Sequence, residues 1–213
     1  MPLCFDLDGT LGSFGGGYVL LREALGELWG EIPGEAALWA CKGSTDWEIV
    51  DELSRTLHGR PLDEAAYAAY DEACLTRFRA AFHPEGRQPS VHQGLVEGLN
   101  TLAAQGLPVW LVSGNTPRIL AFKATCLGIS PEVPLLGSLP HHDRAGLIRH
   151  AMAAAPAPHL YVGDRPHDRE AAARVGVPFL AVGDAVPGPH PILAPDAEAR
   201  ELLAHVARLL PGT

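Results

Sequence analysis

From Val91 onward, short unbroken apolar runs alternate with helical patterns, and no other feature restricts the fold as tightly. Pro108–Val112 is one such run, followed by Ser113-Gly114-Asn115. His159–Val162 precedes Gly163-Asp164, Pro178–Val182 is a third run, and Val133–Leu136 is a weaker one. Runs this short, apolar at almost every position, suit strands buried on both faces of a parallel sheet. Helical spacing separates them. Val91, Leu95, Leu99 and Leu102 precede Gly106; a helix is expected near Thr116-Pro117, with proline in its first turn. Leu147, Ile148, Ala151 and Met152 mark another, and Ala171, Ala172 and Val175 one that ends at Gly176. A last helix is expected from about Asp196 through Leu202, Val206 and Leu209. Repeated β–α units predict an α/β fold of three layers, a parallel sheet with helices on both faces.

The first strand is expected at the start of the chain, where Leu3, Cys4 and Phe5 lead into Asp6-Leu7-Asp8-Gly9-Thr10. Residues two apart on a strand share a side, so both carboxylates converge at its end. Their repulsion calls for a cation or a shared proton. A turn or helix-capping pair is the plainer alternative. Ligands of such sheets bind beyond the carboxyl ends of the strands, and Asp6, Asp8, Ser113 and Asp164 would all lie on that edge. Each alone reads as a helix cap, and Asp168 as a residue opposing a helix dipole. Capping does not explain why they share an edge.

Between these parts the chain is helical, with no convincing strand from Gly15 to about Pro84. Leu21, Ala24 or Leu25, and Leu28 share a face; Trp47, Val50, Leu53 and Leu57 share another, with Ser44, Thr45 or Asp46 as N-cap. Tyr67, Tyr70, Cys74, Phe78 and Phe82 give the cleanest spacing. Gly12–Gly17 and Pro84–Pro89 read as linkers. The expected organisation is a core of 1–14 and 87–213, with a helical cap inserted at 15–86.

The 213 residues carry a formal net charge of −9 and no lysine- or arginine-rich run, which argues against a nucleic-acid or anionic-membrane partner. With 47% hydrophobic and 19% charged residues the balance is globular, and no apolar stretch reaches membrane-spanning length. Cys4, Cys41, Cys74 and Cys126 form no C-x-x-C pair and read as thiols of a reducing compartment. The early first strand leaves no room for a signal peptide, so a cytoplasmic location is expected; a monomer or small homo-oligomer is the expected assembly.

A carboxylate cluster with no histidine or cysteine at ligand spacing suits a hard cation, Mg2+ rather than Zn2+. Asp6 and Asp164 are the expected ligands, with the Asp8 carbonyl oxygen as a third and Asp168 holding a bound water. The Ser113 hydroxyl and nearby backbone amides, those of Gly114 and Asn115, can donate to phosphate oxygens. One carboxylate can then attack phosphorus while a second carboxyl protonates the departing alkoxide. A small phosphorylated metabolite is the expected partner.

These residues resemble the haloacid dehalogenase superfamily, in the subgroup similar to phosphoglycolate phosphatases. Its D-x-D-G-T motif stands as Asp6-Leu7-Asp8-Gly9-Thr10, its apolar strand ending in Ser or Thr as Val109–Ser113, and its G-D-x-x-x-D as Gly163–Asp168. The resemblance covers about 1–13 and 91–185. It implies a Rossmann-like core, with Asp6 as nucleophile, Asp8 as general acid/base, Ser113 binding phosphate, and Asp164 and Asp168 on the metal side. The superfamily's usual lysine before the last motif is absent. Arg144 stands near that place and is favoured by linear spacing, with Lys123 as the alternative. Gly43-Ser44-Thr45-Asp46 resembles a short cap signature that selects substrate; an N-capped helix start without substrate contact is the alternative. His141, His142 and His167 read as polar loop residues. The resemblance implies a phosphatase of small phosphomonoesters; a sugar phosphomutase and a non-catalytic phospho-ligand-binding protein are the alternatives.

Overall fold

The computed structural model describes residues 3–154 and 159–209. Its strands are β1 (Leu3–Phe5), β2 (Gly12–Ser13), β3 (Ser90–Val91), β4 (Val109–Val112), β5 (Leu135–Leu136), β6 (Leu160–Gly163), β7 (Phe179–Val182) and β8 (Ile192–Leu193). Six of them form one sheet in the order β5-β4-β1-β6-β7-β8, every pair parallel. The chain winds outward from β1 in both directions, so the switch point lies where β1 meets its neighbours.

Strand alternation feeds two cores. Leu3, Phe5, Leu111 and Val162 point to one side, Cys4, Val112 and Tyr161 to the other. Both faces are covered, which is why the strands read as unbroken apolar runs. The helices are α1 (Gly17–Trp29), α2 (Glu35–Ala40), α3 (Asp46–His58), α4 (Glu64–Ala81), α5 (Gln93–Ala104), α6 (Pro117–Cys126), α7 (Arg144–Ala153), α8 (Pro166–Val175) and α9 (Ala199–Leu209). α5, α6 and α9 bury Leu99, Leu120 and Leu202 on the first face. α7 and α8 bury Ile148 and Ala172 on the second. The three-layer α/β expectation holds.

The segment between β2 and β3 is helical, as its spacing predicts. All five positions of the cleanest pattern, Tyr67, Tyr70, Cys74, Phe78 and Phe82, are buried. Leu57 departs from its pattern and is exposed. Among the described residues this segment holds four helices rather than three, because α2 has six residues and buries none of them, too few to show a period. Gly12-Ser13 is not a free linker. It pairs antiparallel with Ser90-Val91, Gly12 opposite Val91 and Ser13 opposite Ser90. The chain's entry to the helical segment and its exit from it are thus hydrogen-bonded together. Val91 consequently belongs to β3, and α5 starts at Gln93. β8 carries too few residues for its pattern to be legible, and α9 starts at Ala199, three residues after Asp196. All four cysteines are free thiols. Among the described residues no helix is long and apolar enough to cross a membrane.

Candidate active site

Asp6 leaves the carboxyl end of β1 at the switch point, and the chain must turn sharply behind it. Gly9 makes the turn with φ +87°, and a Cβ there would lie 2.1 Å from Asp164 Oδ2. Only glycine permits both the backbone conformation and the approach of Asp164 from the end of β6. Thr10 completes the contact, its hydroxyl donating to Asp164 Oδ1 at 3.2 Å. Asp168, in the first turn of α8, accepts from the Arg165 backbone N–H at 3.0 Å and is fully buried. One oxygen from each of Asp6, Asp164 and Asp168 falls within 4.8 Å of the others.

Arg144 enters this cluster from the first turn of α7. Its Nη1 donates to Asp6 Oδ1 at 2.7 Å and to the Tyr161 hydroxyl at 3.1 Å, and lies 3.1 Å from Asp168 Oδ1. Its Nη2 donates to the Ser44 carbonyl at 3.0 Å, while its buried Nε has no acceptor among the described residues. Burial pushes the Asp6 carboxyl up to about 7, against the pull of Arg144 and with the help of Asp168 and Asp8. Burial and then the charge of Asp6 push Asp164 up to about 6. Asp168 is also raised by burial, although Arg144 opposes the shift.

Asp8 stands outside this cluster. Its Oδ2 receives Lys123 Nζ at 2.6 Å and Asn115 Nδ2 at 2.7 Å. Asn115 also donates to the Ser113 hydroxyl at 2.7 Å and accepts from Lys123 at 2.8 Å. Lys123 is buried, with its ammonium 5.3 Å and 5.1 Å from the ring centres of Phe14 and Phe78. The two basic candidates therefore hold different carboxylates: Arg144 sits on Asp6 and Asp168, Lys123 on Asp8.

Gly43–Asp46 reaches the same place from the helical segment. Thr45 does N-cap α3, its hydroxyl accepting from the Glu48 N–H at 3.3 Å. The loop is also docked: the Asp46 N–H donates to the Gly114 carbonyl at 2.7 Å, and Asp46 Oδ2 accepts from the Thr116 N–H at 2.9 Å. A Cβ on Gly114 would lie 2.5 Å from the Ser44 carbonyl oxygen, so the residue type after Ser113 decides how closely this loop can approach. Between the two sides lies a cavity of about 410 Å3, with Asp6, Asp8, Ser113 and Arg144 on one wall and Tyr18 and Asp46 on the other. A larger groove of about 910 Å3 runs between α3 and the start of α7, but it does not reach the carboxylates.

Of the histidines, His167 lines the carboxylate cavity, and burial pulls it down to about 4. His141, its backbone at φ 63°, packs on the Trp47 ring, and His142 bonds the Pro140 carbonyl. Two further residues of the site carry no assigned role in the sequence reading, Thr10 and Tyr161. Thr10 lies inside the first motif, and Tyr161 carries the one hydroxyl of an otherwise apolar strand, a signal that could mark it.

A parallel three-layer sheet with carboxylates gathered at its switch point, and a helical layer docked over them, defines a carboxylate-centred α/β enzyme. The sequence matches the haloacid dehalogenase-like hydrolase family over residues 3–173, and the chain belongs to that family. No curated protein matches the sequence significantly. Among solved structures, a hydrolase from Pseudomonas syringae is similar at TM-score 0.65 and 17% identity, over 98% of this chain and 99% of that one. A predicted phosphoglycolate phosphatase from Haemophilus somnus is similar at TM-score 0.61 and 19% identity, over 96% of each chain. CbbY from Rhodobacter sphaeroides, in complex with phosphate, is similar at TM-score 0.66 and 16% identity, over 92% of this chain and 94% of that one. At these identities the likeness is one of fold.

Proposed function

We propose that this hydrolase is a Mg2+-dependent phosphatase of small phosphomonoesters, acting through an aspartyl-phosphate on Asp6. The observation that carries the proposal is the division of labour between two carboxylates two residues apart. Asp6 lies in the buried cluster with Asp164 and Asp168, whereas Asp8 is held away from it by Lys123 and Asn115.

The donor set fits the metal. Three carboxylates face one buried guanidinium, Arg144, and one exposed guanidinium, Arg165, whose Nε lies 3.1 Å from Asp164 Oδ2. Burial still drives Asp6 and Asp164 toward the protonated form, so the cluster carries more negative charge than its own residues offset. Asp6, Asp164 and Asp168 would hold Mg2+, an all-oxygen set that this ion favours. When bound, the ion would offset the charge of the phosphate and of the attacking carboxylate.

In the first step an Asp6 carboxylate oxygen attacks phosphorus. The bond from phosphorus to the ester oxygen breaks, and the electron pair leaves with that oxygen, which takes a proton from the Asp8 carboxylic acid. In the second, the Asp8 carboxylate takes a proton from water as its oxygen attacks phosphorus. The bond from Asp6 to phosphorus breaks, inorganic phosphate is released, and both carboxyls return to their starting states. Ser113, the Gly114 and Asn115 amides and the Nε of Arg144, which has no acceptor among the described residues, are the donors for the phosphate oxygens. Arg144 fills the basic role of the superfamily's missing lysine. The helical segment of 15–86 acts as a cap, its Gly43–Asp46 loop closing the cavity over the ester.

Phosphate release from a panel of esters, with Mg2+ and with chelator, tests the proposal. Metal-dependent release that Asp6→Asn loses, with its circular dichroism unchanged, is the expected result. Isomerisation of a sugar phosphate without phosphate release would replace the phosphatase by a mutase. Undiminished release from Asp6→Asn would remove Asp6 as nucleophile.

A further inference from the structure

A second cavity, of about 270 Å3, opens within the helical segment among α1, α2, α3 and α4. It adjoins the carboxylate cavity, because Tyr18, Leu21, Asp46 and Ile49 line both. The two spaces differ in chemistry. The first is walled by charged and polar groups; the second is walled mainly by Leu21, Leu25, Leu38, Trp39, Val50 and Tyr70. Trp39 is 68% exposed and Tyr18 40%, yet their rings meet at 5.7 Å between centres on this cavity's wall. Large aromatic side chains left this open contribute little to the core and are available to cover a ligand.

The cation inventory points the same way. Arg22 is the cation among the residues lining the second cavity, and it is already engaged. Its Nε donates to the Pro33 carbonyl and its Nη1 to Glu35, both at 2.9 Å. Asp46 places a carboxylate at the junction of the two spaces. A second anionic group that extended into this cavity would meet Asp46 with no free cation on that wall to receive it, and Arg165, on the carboxylate cavity, is already paired with Asp164 at 3.1 Å. A sugar would bring hydroxyls to a wall that offers them few partners.

We infer that the organic part of the substrate is apolar, an aromatic ring or a branched aliphatic group, and that it occupies the cavity between α1, α2 and α3. This rests on the phosphatase proposal and narrows its substrate class. The phosphate sits over Asp6, the ester oxygen lies at the junction within reach of Asp8, and the apolar group extends past Tyr18 and Ile49 toward Leu38 and Trp39.

Binding of unhydrolysable phosphonates to the full chain with Mg2+, measured by calorimetry, tests this without requiring turnover. Phenylphosphonate is expected to bind at least about tenfold more tightly than phosphonoacetate, the order of gain for burying a ring. Leu38→Asp alters a wall remote from the carboxylates and is expected to remove that preference while inorganic phosphate still binds. Trp39→Ala changes an exposed side chain, so it folds as the parent does, and is expected to weaken phenylphosphonate alone. Equal or tighter binding of phosphonoacetate, or a phenylphosphonate affinity unmoved by both substitutions, overturns the inference and leaves the phosphatase proposal standing. Failure of inorganic phosphate and both phosphonates to bind overturns the two together.

Discussion

Lys123 and Asp8 meet at 2.6 Å across the wall of the cavity, the ammonium buried and the carboxylate side chain still 39% exposed. The lysine is wedged against Phe14 and Phe78, which belong to the β2–α1 connection and to α4, so the contact ties Asp8, the proposed acid/base, to the helical segment. Replacing Lys123 by methionine keeps the apolar stem and removes the charge. Lys123→Met is expected to lower kcat by about 10- to 100-fold, within the range for a misplaced general acid, with KM changed less than about threefold. Stability is expected to fall by about 1–3 kcal/mol, since removing one partner leaves the Asp8 carboxylate and the Asn115 side-chain oxygen without their donor, with the partial exposure of Asp8 moderating the loss. Steady-state kinetics and urea unfolding check both.

Gly9→Ala is expected to be among the most damaging single substitutions. The φ of +87° and the overlap that an added Cβ would have with the Asp164 carboxylate act together. The left-handed backbone alone costs about 1–2 kcal/mol, and the overlap displaces a carboxylate of the cluster. A loss of at least ~2 kcal/mol in urea unfolding, with activity falling below a tenth of the parent, is the expected outcome; parent-like values would contradict the turn geometry.

Mg2+ is expected to raise Tm, because Asp6, Asp164 and Asp168 converge only in the folded chain. A ligand at a hundred times its Kd stabilises by about 2.7 kcal/mol. Asp164→Asn is expected to abolish most of the Mg2+-induced rise. Thermal scans with and without chelator read this independently of turnover. Equal shifts in parent and variant would place the ion elsewhere.

Burial pushes the Asp46 carboxyl up to about 6, against the Thr116 N–H and Lys123. A carboxyl whose folded pKa lies above its unfolded value binds its proton more tightly when folded. Its ionisation therefore costs nothing near pH 3.8, costs progressively more up to about 6, and carries its full penalty above that. Asp46→Asn keeps the acceptor for Thr116 and removes the charge. It is expected to stabilise the protein by ~1–3 kcal/mol at pH 7.5 and to have little effect near pH 4. Denaturant unfolding at the two values distinguishes this from a uniform change.

Much of this site is legible in the amino-acid sequence. Asp6, Asp8, Ser113 and Asp164 end apolar runs, and a run that is apolar throughout has one common fate, a strand buried on both faces. Their shared edge follows from the topology of β–α repeats, which depends on local periodicity alone. The same local signals locate β4, β6 and β7 within a residue, the ends of α4 and α8 within a residue, and the presence of both helices without their starts. They fail where elements are shortest: α2, β8 and the β2–β3 ribbon have too few residues to carry a period, and Gly12-Ser13 resembles a linker until it finds its partner.

What periodicity could not decide is pairing between residues far apart in the chain. Arg144 and Lys123 both stand on helices that flank strand ends, and spacing along the sequence does not state which carboxylate either one reaches. Contacts spanning 138 and 115 residues settle it, Arg144 on Asp6 and Lys123 on Asp8. The apolar cavity likewise arises only where α1, α2, α3 and α4 converge, from side chains that the sequence shows on separate helices. The sequence by itself determined the layers and the sheet edge on which the carboxylates gather, because those depend on local pattern. Tertiary structure alone decided which charges meet and what shape the helices enclose, because both depend on distances between segments that no local pattern encodes.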